Sequence, residues 1–145
     1  MMFSSHAAAK PHYEIVEDRL QGAIFIRVAG FFDLPTLRDH FADNAAVVKR
    51  WRATGRLIRV LINAVDLKPH SPEGQACVQD ATGRIYRPGD RVAILVSSSL
   101  VKMQMRRALS HGEILNFFIC KNAALTWLDV QQPSQQLQAA GELKG

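Results

Sequence analysis

Two cysteines in 145 residues are too few for a disulfide framework. Cys77 falls in a helical pattern and Cys120 ends an apolar run, so both read as small buried hydrophobes, a usage that fits a reducing cytoplasm. No run approaches the roughly 18 apolar residues of a membrane span, and transmembrane insertion is not expected. The opening MMFSSHAAAK has no apolar core and reads as a flexible tail over residues 1–11, not as a signal peptide. There is no G-x-x-x-x-G-K run, which sets nucleotide hydrolysis aside, and no glycine-flanked serine of the nucleophile-elbow kind.

What is present describes one ordinary globular domain. Hydrophobic residues make up 48% and charged residues 21%, and a chain of this length buries enough surface to fold without a metal or disulfide staple. The charge is +5, from 18 basic and 13 acidic residues. The basic residues are scattered, as Lys49, Arg50 and Arg52, then Arg84, Arg87 and Arg91, then Lys102, Arg106 and Arg107. No aromatic stacking platform lies among them, and no nucleic-acid partner is expected.

Tyr13 to Val16 and Ala23 to Val28 are short β-rich runs around a loop whose Gly22 suits a turn, predicting a hairpin. Asp33 is placed to cap a helix over 34–53 with Pro35 in its first turn and Gly55 at its stop. Leu34, Leu37, Phe41, Ala45, Val48 and Trp51 recur at helical spacing and mark its expected core stripe, with His40 on the polar flank. Leu57 to Ala64 reads as a strand covered on both faces. Ser71 then caps a helix that begins at Pro72 and carries a weak stripe of Ala76, Cys77, Ala81 and Ile85.

RPGD over 87–90 is a turn, and Arg91 to Val96 is another buried strand. Ser97, Ser98 and Ser99 cap a third helix carrying Leu100, Val101, Met105, Ala108 and Leu109, with His111 at its end. Ile114 to Cys120 is the last strand, Asn122 caps the short helix AALTWL, and residues 131–145 form a polar tail. The order β β α β α β α β α predicts an α/β domain over 12–130 with a mostly parallel sheet and an antiparallel first strand.

Ligands in such sheets gather outside the carboxyl ends of the strands. Asn63, Asp66, His70 and Ser71 cluster at one such end, and Ser97, Ser98 and Ser99 follow the next strand. Two serine-capped helix N-termini side by side would offer N–H groups and hydroxyls to one anion. His70 with Asp66 is the only histidine pairing that suggests general-base chemistry, since His6 and His12 fall in the tail region. No second ligand pair of conventional spacing accompanies them, and neither a metal nor a cofactor is expected.

Four segments, FFDLPTLRDHF, INAVDLKPHSPEG, VAILVSSSLVKMQMRRAL and AALTWL, follow in order over about 115 residues from Tyr13 to Leu128. Together they resemble SpoIIAA-like proteins, relatives of the STAS domain and of the CRAL-TRIO lipid-binding fold. The resemblance implies a right-handed β-α superhelix with five sequentially ordered strands and four helices. It also implies two functions.

In the anti-sigma-factor antagonists of this group, a serine at the start of the helix after the third strand is phosphorylated, and Ser71 occupies that place. The antagonists carry an Asp-Ser-Ser-Gly-like sequence there. Here it is His70-Ser71-Pro72-Glu73, in which Pro72 removes an N–H and Glu73 adds a repelling charge. The lipid-binding relationship implies instead an apolar cavity, with Phe25, Phe31, Phe32, Phe117, Phe118, Met103 and Met105 as candidate lining.

The reading that results is a non-enzymatic cytoplasmic binding or regulatory module, expected as a homodimer. Its partner would be a protein or a small anionic or lipid-like molecule at the carboxyl end of the sheet. A phosphoserine switch at Ser71 is the alternative, and an enzyme using His70 and Asp66 the third.

Overall fold

In a computed structural model, which describes residues 10–109 and 112–130, the chain opens on an antiparallel hairpin of β1 (His12–Asp18) and β2 (Ala23–Gly30). Gly22 closes its loop with φ at +74°, a conformation that side chains disfavour, and its amide donates to the Asp18 carbonyl at 2.9 Å. Then follow α1 (Leu34–Ala53), β3 (Arg59–Leu67), α2 (Pro72–Ile85), β4 (Arg91–Leu95), α3 (Ser99–Ala108), β5 (Leu115–Phe118) and α4 (Lys121–Leu128). The strands lie in sequence order in one sheet, the first pair antiparallel and the rest parallel, which is the expected α/β arrangement.

Parallel strands need cover on both faces. Ile24, Ile26, Val60, Val92 and Ile94 turn one way, into a core closed by Leu37, Val48 and Trp51 of α1, Val78 of α2 and Leu109 after α3. Leu61, Ala93 and Leu95 turn the other way, against Ala124 and Leu128 of α4. Among the described residues three helices therefore share one face and a single short helix serves the other.

Helix α1 begins as its sequence predicts, with the Asp33 carboxylate accepting from the Thr36 amide at 3.0 Å. Its buried stripe differs from the apolar one. Leu37, His40, Asn44, Val47, Val48 and Trp51 are buried, and His40, expected on the polar flank, is only 4% exposed. The imidazole sits among the rings of Tyr13, Phe41 and Phe32 at 4.7, 5.0 and 6.0 Å, and Asn44 is satisfied by the Tyr86 hydroxyl at 2.9 Å. Ring contacts around His40 and the hydrogen bond of Asn44 let the helix turn these two side chains toward the sheet. Phe41 and Ala45 are left facing α2 across a shallow groove.

Other expectations shift for similar reasons. On α2 the buried residues are Gly74, Val78, Ala81 and Thr82, while Ala76 is exposed, because the helix rests its small Gly74 against Leu37 and His70. Leu100 is exposed on α3, and Cys120 is exposed rather than buried because it lies beyond the last strand, which ends at Phe118. Cys77 is half-buried. Asn122 is not the cap of α4. That helix starts at Lys121, and the cap position, Cys120, makes no side-chain hydrogen bond. His12 begins β1 beside Glu14 instead of belonging to a tail. His6, Ser110, His111 and the tail residues 1–9 and 131–145 lie outside the described residues, as does the Ala108 side chain.

The turn at 87–90 anchors the end of α1 to the sheet. Asp90 accepts both arms of the Arg52 guanidinium, at 2.8 and 2.5 Å, and the Arg87 amide at 2.9 Å, while Arg52 also donates to the Ile85 carbonyl at 2.9 Å. The pair is sheltered, whereas Arg84–Asp80 on α2 stands in solvent. Removing one partner of a buried pair costs about 3 kcal/mol or more, but exposed helical pairs contribute about 0.3–0.5 kcal/mol. Asp90→Ala should therefore lower the urea midpoint by the equivalent of about 3 kcal/mol, and Asp80→Ala by less than about 0.5 kcal/mol, in equilibrium unfolding followed by circular dichroism.

Candidate functional site

A cleft of about 960 Å³ opens at the carboxyl ends of β2, β3 and β4. Its walls come from the loop Lys68–Pro72, Gln75 of α2, Val96 and Ser97 after β4, and Val101, Gln104 and Met105 of α3. Behind it lies an apolar cavity of about 70 Å³ lined by residues such as Phe32, Leu37, Ile62, Val78 and Ile94, with His40 among them. Ala64, Leu67, His70 and Met105 border both spaces. The cleft and the cavity thus share part of one wall.

A bulge aims the side chains at the mouth. Arg27 pairs with Asn63 and Ala29 with Asp66, so Val28 alone faces Ala64 and Val65. Strict alternation would send Asp66 to the core face with Ile62 and Ala64. The extra residue reverses the phase, which sets Asp66 beside Arg27 and returns Leu67 to the apolar side. Asp66 accepts from the Arg27 guanidinium at 3.1 Å. Gly30 ends β2 with φ at +82°, and its carbonyl receives the Lys68 amide at 2.9 Å, which brings that lysine to the rim.

Asp66, His70, Ser71 and Ser97 are brought together in this cleft as the sequence suggested. Asn63 is not. It pairs with Arg27 before the bulge, farther from the strand ends, and lines a shallow hollow with Phe25 and Lys121, where its side chain accepts from the Val65 amide at 3.1 Å. Ser98 caps α3 through the Val101 amide at 3.2 Å, and Ser99 is the first helical residue; neither lines the cleft. A joint anion cradle of both serine caps is therefore not formed. At Ser71 the hydroxyl already accepts from the Gly74 amide at 3.0 Å.

Of the proposed apolar lining, Phe32 borders the cavity and Met105 both spaces. Phe25 lies on the other face, Phe118 packs on Trp127 at 5.7 Å on that same face, Phe117 is core, and Phe31 and Met103 are exposed. The sequence reading missed Arg27, Lys68, Gln75 and His40. Only His40 left a signal, since Leu37, His40, Asn44, Val47 and Trp51 follow a three–four spacing of their own.

The imidazoles are the unusual groups. His70 makes no hydrogen bond to Asp66, whose partner is Arg27. Among the described residues, three buried side-chain nitrogens lack a partner: His40 Nδ1, His70 Nδ1 and Gln75 Nε2. All three residues border the cleft or the cavity. Burial holds His40 down at about 4 although Asp43 pulls the other way, and burial also lowers His70.

No group of three or more His, Cys, Asp or Glu side chains that could hold a metal ion occurs among the described residues. No helix among them is long and apolar enough to cross a membrane.

A histidine whose folded pKa is depressed disfavours the folded state once the unfolded chain takes up its proton. For His40 the loss begins as pH falls through the ordinary value of 6.5 and levels off below about 4. It amounts to on the order of 3 kcal/mol. His70 adds a loss of the same sign. Chemical denaturation between neutral pH and pH 4 should show this decline, and His40→Phe should flatten most of it.

No family model and no curated protein matches the chain. Among solved structures it matches the crystal structure of an uncharacterised protein of the DUF3478 family with a SpoIIAA-like fold, from Shewanella loihica PV-4. The match has a TM-score of 0.61 at 19% identity, over 82% of this chain and 95% of that one. The sequential sheet, its antiparallel first pair and this match together establish that the chain has a SpoIIAA-like fold.

Proposed function

We propose that the protein is a non-catalytic binding module for a small amphipathic anion, held in the cleft with its charged end near Lys68 and its apolar part along Ala64, Leu67 and Met105. The observation that carries this reading is a cleft of about 960 Å³ in which the rim cation Lys68 stands over the apolar side chains of Ala64, Leu67 and Met105. Apolar lining with a few polar groups at one end is how small-molecule sites are commonly built. Lys68 is the cation at the rim with no carboxylate partner among the described residues, since Arg27 is matched by Asp66. A ligand that settles here touches the start of α2 and the body of α3, so its presence would alter the surface a protein partner meets.

Neither other chemistry has the same support. A hydrolytic pair of His70 and Asp66 lacks the hydrogen bond that would orient the base. Phosphorylation of Ser71 has one favourable feature, its place on the cleft wall at a helix N-terminus. Against it stand the cap bond to Gly74, the absent N–H of Pro72 and the charge of Glu73.

Decanoate is a simple probe of this class. It should raise the melting temperature of the purified protein and add one ligand mass in native mass spectrometry. Lys68→Glu should weaken binding by about tenfold, the scale of one charge-assisted hydrogen bond. No shift and no adduct with anionic amphiphiles would refute the reading. For the phosphoserine alternative, Ser71→Asp must change capture of a protein partner while Ser71→Ala does not mimic it; equal capture by both would sink it.

A further inference from the structure

We infer that the ligand carries an oxygen close to its charged end, as a hydroxylated acyl chain does, and that His70 selects it over a plain hydrocarbon chain. This rests on the binding reading above and goes further by naming what the site discriminates. The basis is where the unpartnered polar atoms lie. Buried polar groups nearly always have a partner, and each exception calls for a physical cause. Among the described residues the buried exceptions are His40 Nδ1, His70 Nδ1 and Gln75 Nε2, and of these residues Gln75 and His70 border the cleft while His40 borders only the cavity behind it.

Position assigns each group a part. Gln75 lines the cleft but not the inner cavity, so its amide serves the charged end together with Lys68. His70 follows Lys68 by two residues and borders both cleft and cavity. Lys68 and His70 line the same cleft, so an oxygen that meets His70 belongs to the part of the ligand on the side of its charged end. His40 lies in the inner cavity, 96% shielded from solvent if its 4% exposure is taken from the whole, with Phe32, Phe41 and Tyr13 around its ring.

Both rings are neutral near pH 7, because burial lowers their proton affinity. A neutral imidazole nitrogen is a donor in one tautomer and an acceptor in the other. A hydroxyl can answer either, whereas a methylene can answer neither and would leave the nitrogen desolvated and unpaired.

Calorimetric titration of the full chain with decanoate and with β-hydroxydecanoate tests the idea. The hydroxyl should tighten binding by about three- to tenfold, as one net hydrogen bond would. His70→Phe should remove most of that preference, and His40→Phe, which alters no residue of the cleft lining, should keep it. The imidazole nitrogen NMR shifts of the wild-type protein should move with β-hydroxydecanoate and not with decanoate, which decides the matter even where a variant fails to fold. Equal affinity for the two acids, or histidine signals that do not respond because the nitrogens are met by water alone, would overturn the inference and leave the binding reading standing. Binding of neither acid would overturn both.

Discussion

A parallel sheet has no face it can leave in water, and this chain meets that constraint unevenly. Helices α1, α2 and α3 lie on one face, and α4 alone covers the other among the described residues. The crowded side contains most of the buried apolar residues, from Ile24 and Val60 to Phe117. It is also where the cover is incomplete. Between the start of α2 and the body of α3, beyond the ends of β2, β3 and β4, the packing opens into the cleft. The site is thus a consequence of how the same helices close the core.

The bulge between β2 and β3 links core and site. One additional residue on β3 allows Ile62 and Ala64 to remain inward, Asp66 to meet Arg27, and Leu67 to rejoin the apolar wall. The Arg27–Asp66 pair is exposed, so it adds at most about 1 kcal/mol to stability. Its larger effect is electrostatic, since it neutralises the arginine and leaves Lys68 as the unmatched rim charge. The sheltered Arg52–Asp90 fork plays the opposite part, fastening α1 to the strand side with groups that take no part in the cleft.

Much of the fold was legible in the residues. Asp33, Pro35 and Gly55 bracket α1, Ser71 and Pro72 start α2, and a serine cap starts α3, because capping and turn chemistry are local. Errors arose where an apolar count stood in for packing. Cys120 follows an apolar run but lies past the strand end, and Leu100 points outward from a helix whose inner face is served by Val101 and Met105. His40 was misplaced because a histidine counts as polar in a pattern, yet three aromatic neighbours make the interior acceptable to it.

The candidate site divides in the same way. Sequence by itself determined the element order, the helix starts, and the address at the carboxyl ends of β3 and β4, since these depend on period, caps and the general rule for open α/β sheets. Tertiary structure decided which residues share the space. It left Asn63 in a separate hollow farther from the strand ends, left Ser98 and Ser99 as ordinary helix starts, and brought Arg27, Lys68, Gln75 and His40 into play from four separate segments. A two-residue alternation cannot reveal its own interruption, and a side chain's missing partner exists only in three dimensions. For that reason the unpartnered nitrogens of His40, His70 and Gln75 could be found in no reading of the sequence alone.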